Sequence, residues 1–98
     1  MADTEGAVNT ALALALVKTR LNRLQSDTTL DPYLTARIDG AAAELEAIGI
    51  HLTDSADDLI FLVDFVVWQY QNRDTPGAMP DWLRLRRRER WIREGVAP

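Results

Sequence analysis

The chain has no cysteine and a single histidine. The first absence rules out disulfides and thiolate-bound metal, and it fits a reducing compartment. The second removes any basis for a histidine metal site or a nucleophilic triad, because each needs partners at defined positions. His51 reads as a loop residue beside an apolar turn. Glycines and prolines are few, five and four in 98 residues, and none builds a phosphate-cradling loop or a nucleophile elbow. The acids are scattered over helix exteriors and caps. No catalytic constellation emerges, so the expectation is a protein that is not an enzyme and holds no cofactor and no metal. Long hydrophobic runs are also missing. The longest, Leu59 to Tyr70, is interrupted by Asp64 and Gln69 and is too short and polar to span a bilayer. The opening "MADTEGAVNT" is acidic and has no basic segment before an apolar core, so no signal peptide is expected.

What is present describes one small folded domain. The composition is 47% hydrophobic and 27% charged, too apolar for a disordered chain. A chain of this length buries a modest core, and such proteins often gain stability by oligomerising when no disulfide or metal helps.

The periodicity is helical throughout, which predicts an all-α, small four-helix bundle-like domain spanning residues 1–98. Helix one is predicted over about 7–24, with Leu14, Val17, Leu21 and Leu24 as its apolar stripe. Helix two is predicted over 32–48, with Asp31 as N-cap, Pro32 at the first helical position and Gly49 as the stop. Its core face is Leu34, Ile38, Ala41, Leu45 and Ile48. Helix three is predicted over 56–72, capped by Ser55, with Asp57 and Asp58 at the positive end of its dipole. The loop "RDTPGAMP" leads to helix four, predicted over 81–93 and stopped by Gly95.

Two of these helices carry two apolar faces. In helix three, Leu59, Leu62, Val63, Val66, Val67 and Tyr70 form a broad arc, with Ile60 at its margin. Phe61, Phe65 and Trp68 form a second, narrower face at i, i+4 and i+7. Either helix four covers that aromatic face or a partner does. In helix four, Trp82, Leu85 and Ile92 make a core-facing stripe, with Glu89 at its edge. Trp91 lies on the other side, among Arg84, Arg87 and Arg88. Tryptophan and arginine dominate interface hot spots, so this side reads as a partner surface. The alternative is a Trp91 that folds back under arginine stems or stacks with them. Asp64, one acid in an apolar helix, is expected to pair with an arginine.

Charge is distributed unevenly. Residues 1–80 hold five basic and twelve acidic side chains, and residues 81–98 hold six basic and three acidic. The overall charge of −4 argues against nucleic acid as a partner for the whole surface, and only the last helix suits that purpose.

The order of features is a further clue. "LVKTRLNRL" gives a basic amphipathic helix. "SDTTLDPYLTARIDGAAAELEAIGI" gives an acidic linker and a glycine-stopped helix, and "DDLIFLVDFVVWQYQNRD" a very apolar helix ending in aromatics, before a loop and a charged last helix. Over residues 12 to 93 this arrangement resembles the head-to-tail connector, or head completion and adaptor, proteins of tailed bacteriophages. The resemblance implies a non-catalytic subunit of the virion, assembled in the host cytoplasm. It implies a homo-oligomeric ring that binds the portal protein and a tail or stopper protein, with DNA passing through the lumen and no membrane involved. A basic helix of one subunit would then meet the acidic surface of the next, since residues 27–64 hold nine acids and only Arg37. Two other readings compete. One is a small nucleic-acid-binding module whose arginine helix lies along phosphates. The other is a regulatory interaction protein that docks through the same helix.

Overall fold

The computed structural model describes residues 8–74 and 77–95. They form four helices and no strand: α1 (Thr10–Arg20), α2 (Asp31–Ala47), α3 (Ala56–Gln71) and α4 (Asp81–Arg93). Ala7, and Thr75 and Pro76 of the loop before α4, lie outside the described residues, while Val8 and Asn9 are not helical, so helix one begins later than expected, at Thr10.

Local chemistry sets most boundaries. The side chain of Asn9 accepts from the Leu12 amide and caps α1. α1 ends earlier than its hydrophobic spacing suggests, because Asn22 adopts the left-handed conformation at φ 60°. The amides of Asn22 and Arg23 then donate to the carbonyls of Thr19 and Lys18, which closes the helix. Leu24, expected on the apolar stripe, is therefore off the helix and exposed. Gly49 closes α2 in the same way at φ 103°, with Gly49 and Ile50 donating to Glu46 and Leu45. Ser55 caps α3 by accepting from the Asp58 amide. At the start of α2 the expectation needs correction. Leu30 is the N-cap and Asp31 is the first helical residue. The Asp31 carboxylate instead pairs at 3.0 Å with Lys18, a buried lysine that also donates to the Gln25 carbonyl.

α3 is the central helix. It packs against α1, α2 and α4, while α4 packs against α3 alone among the helices. Both of its apolar faces are used. Leu62, Val63, Val66 and Val67 are buried, and so are Phe61 and Phe65. Ala13 and Val17 of α1 join the same core, with Leu34, Ile38, Ala41 and Leu45 of α2, Ile50 after it, and Leu83 of α4. Ile48, assigned to the α2 core face, is half exposed, because α2 turns into its glycine stop there.

Candidate interaction surface

The roll of α4 about its own axis decides what this protein offers to other molecules. At about 100° per residue, Leu83, Arg90 and Glu94 share one side, with Arg86 and Arg87 beside them. Leu83 and Arg90 are the buried residues of α4. Trp82, Leu85 and Ile92 face away from them and are 52%, 56% and 51% exposed. The apolar stripe that the sequence assigns to the core is therefore the outer face of the helix.

A polar clamp holds α4 in this orientation. Arg90 donates from Nε and Nη2 to the two carboxylate oxygens of Asp58, at 2.7 and 3.1 Å. It donates again to the carbonyl of His51 at 2.8 Å, and its Nη1 lies 2.8 Å from Glu94. Asp58 also accepts from the amide and hydroxyl of Thr53, at 2.7 and 2.8 Å. Glu94 accepts from the His51 amide, and the Trp91 indole N–H donates to the Ile48 carbonyl at 2.7 Å. α4 thus satisfies backbone groups left open where α2 ends, a terminus whose last turn has no basic residue of its own. Burial acts to raise the Asp58 carboxyl, but the hydrogen bonds from Arg90 and Thr53 outweigh it and hold it below the ordinary aspartate value. Glu94 is also lowered, first by the hydrogen bond from Arg90 and then by that from the His51 amide. Asp58, chiefly through its hydrogen bond, raises Arg90 further.

A second pairing ties three helices together. Asp64 accepts from Arg20 of α1 and, at 2.6 Å, from Arg86 of α4. The expectation that Asp64 pairs with arginine holds, and the carboxylate takes two. The pairs Asp58–Arg90 and Asp64–Arg86 run in opposite sequence order, so α3 and α4 are antiparallel.

The residues expected to bind a partner fall into three sets. Phe61 and Phe65 are corrected out of it. They are 3% and 1% exposed, on the side of α3 that also carries Asp58, and Phe61 borders Arg86, Glu89, Arg90 and Arg93 of α4. Within the monomer, α4 lies over this face. Trp68 is half-buried and continues the aromatic row, its ring centroid 6.2 Å from that of Phe65. Arg84, Arg87, Arg88 and Trp91 do come together, and with Ile48 they line one open groove of about 420 Å³. Trp91 is partly buried there and already hydrogen-bonded within the chain, so it is an anchor of α4 as well as a wall of the groove. Arg84 pairs with Asp81 at 2.6 Å, whereas Arg87 and Arg88 make no ion pair among the described residues.

The spacing of α4 is compatible with this roll but does not announce it. Arg90 falls seven residues after Leu83 and four before Glu94, on one side of the helix. Ranking residues by apolarity places an arginine outside. A bidentate carboxylate and a free carbonyl bring it inside.

His51 is exposed and lies 3.7 Å from Glu46. Among the described residues no cluster of histidine, aspartate and glutamate is arranged to hold a metal ion. No helix among them is long and apolar enough to cross a membrane. Compared with protein-family models, curated proteins and solved structures, the chain matches none.

Proposed function

We propose that this protein is a structural assembly subunit of the tailed-bacteriophage head-to-tail connector type. Its copies close into a ring between the portal and a tail or stopper protein, in the virion and without catalysis. The observation that carries this reading is the outward roll of α4. Three large apolar side chains, Trp82, Leu85 and Ile92, stand half exposed on a helix that a buried ion pair anchors on its other side. Large apolar side chains grouped on one exposed helix face and surrounded by charge, with only Glu89 among them, point to an interaction site rather than a solvated surface. Asp58 and Asp64 are taken by α4 of their own chain, but the exposed acids Asp39, Glu44 and Glu46 of α2 and the outer arginines of α4 are different surfaces of one chain, so a contact between them in two copies is head-to-tail and closes into a ring or extends as a filament. The resemblance in element order supports the ring and the portal as its seat.

Electron microscopy and sedimentation of the purified protein, alone and with portal protein, test the reading. Rings, or portal-capped rings, are the expected result. A species that stops at monomer or dimer in both conditions rejects it.

One observation favours a second reading, in which the protein binds nucleic acid. Arg87 and Arg88 are unpaired among the described residues beside an aromatic wall, an arrangement that suits phosphates. DNA affinity of the isolated protein would then fall steeply with salt, at roughly one unit of log–log slope per phosphate contacted. Salt-independent or absent binding rejects it.

A further inference from the structure

Gly40 lies in the middle of α2, where glycine weakens a helix relative to alanine. Nothing inside the monomer requires it. A Cβ placed on Gly40 would meet no atom within 4 Å. Gly40 is exposed, in an outward row with Ala36, Ala43 and Ala47. Beside this row lies a groove of about 360 Å³, walled by Tyr33, Ala36, Gly40, Glu44 and Gln69. The acids Asp39 and Glu46 flank the row on one edge and Glu44 on the other, all three exposed. Arg37, at the rim, is already held by the Tyr33 hydroxyl at 2.9 Å.

The outer face of α4 is the counterpart of this surface. Its large side chains Trp82, Leu85 and Ile92 form the ridge, with Glu89 among them, Arg84 and Arg88 on one flank and Arg93 on the other. The ridge is about 15 Å long and the small-residue row about 17 Å, at 1.5 Å per residue. We infer that the α4 ridge of one copy docks in the groove over Gly40 on α2 of a second copy. The two faces cannot meet within one chain, because α4 packs on α3 alone and the α2 row points away from the core. A missing side chain at Gly40 lets a second helix approach the α2 backbone closely. Three acids against one arginine, Arg37, at the α2 row, and three arginines against one acid, Glu89, at the α4 ridge favour row against ridge over ridge against ridge. This inference rests on the assembly reading above and names the partner surface for it.

The test uses the full chain. The Cβ that Gly40→Leu adds meets no atom in the monomer and the rest of the side chain extends from an exposed position, so melting should be unchanged or slightly raised. Self-association measured by sedimentation should weaken roughly 30-fold or more, the scale of a lost hot spot. Leu85→Asp, on an exposed side chain, should do the same from the other face. Because the chain has no cysteine, Leu85→Cys combined with Ala43→Cys should give a ladder of covalent oligomers on oxidation. Mixing the two single-cysteine variants should give a dimer. Equal cross-linking by Leu85→Cys alone would show a symmetric α4–α4 contact and overturn the inference. Rings that survive Gly40→Leu, or rings of the double-cysteine variant that form no disulfide between the two introduced thiols under oxidation, overturn the inference and leave the assembly reading standing. A wild-type chain that stays monomeric at millimolar concentration, with or without portal, overturns both.

Discussion

Arg90 of α4 grips Asp58 of α3 through two hydrogen bonds, in a pair of which neither member is more than 8% exposed. Removing one partner leaves the other charged and buried, which costs about 3–5 kcal/mol. Asp58→Ala and Arg90→Met should each lower the urea midpoint by that equivalent. The double variant Asp58→Leu with Arg90→Met should recover part of the loss, because an apolar pair of similar volume leaves no charge stranded. A loss below about 1 kcal/mol in both single variants would show that the clamp does not hold α4.

The same clamp makes stability depend on acid. The folded-state values of Asp58 and Glu94 lie below those of the free side chains, so in acid the unfolded chain binds more protons than the folded one. The resulting stabilisation is fully present above the ordinary carboxylate range and is lost as pH falls through the depressed folded values. Urea midpoints taken from about pH 7 down to about pH 3 should therefore hold steady first and then fall below about pH 4. Asp58→Asn should start lower and fall less steeply. An acid limb of unchanged steepness in Asp58→Asn would place the titrating groups elsewhere.

Leu83 and Leu85 separate the two orientations of α4. Leu83 is fully buried and Leu85 is 56% exposed. Leu83→Ala should cost about 2–4 kcal/mol through lost burial and a residual cavity. Leu85→Ala should change monomer stability by about 0.5 kcal/mol or less. Thermal melting at a concentration where the protein is monomeric gives both numbers. The reverse order would restore Trp82, Leu85 and Ile92 to the core.

These two residues also mark where the sequence is legible. The α2 core face from Leu34 to Leu45, the broad arc of α3, and the Ser55 and Gly49 signals follow from one-dimensional rules, because each residue's choice there depends on its own helix. α4 does not follow them. Its roll depends on what waits across the gap: a carboxylate on α3, the His51 carbonyl and the Ile48 carbonyl. Those acceptors are 32, 39 and 43 residues away in sequence, beyond any periodicity. Asp64 is readable because a lone acid between the two apolar faces of a helix needs a cation. Asp58 is not, because an acid in the first turn of a helix already has a local reason to be there. The convergence of Arg84, Arg87, Arg88 and Trp91 is readable from the wheel, whereas the burial of Phe61 and Phe65 by α4 is one of two outcomes the wheel allows.

Trp91 supplies the last prediction. Its indole N–H donates to the carbonyl of Ile48, the residue that ends α2, and its ring packs partly against the core. Trp91→Phe keeps most of the apolar contact and loses the hydrogen bond. Ile48 is 45% exposed, so water can reach the released carbonyl, and the cost should be about 1 kcal/mol or less. Trp91→Ala also loses the ring contact and should cost about 2 kcal/mol, below the range for a fully buried tryptophan. For a domain of this size that corresponds to a fall in Tm of roughly 8–16 °C. The ordering follows from an anchor that is half inside the domain: alanine hurts more than phenylalanine, and both hurt the monomer before any partner is added. A Trp91→Ala protein that melts like wild type and yet fails to self-associate would make Trp91 a partner-facing side chain, and its bond to Ile48 incidental.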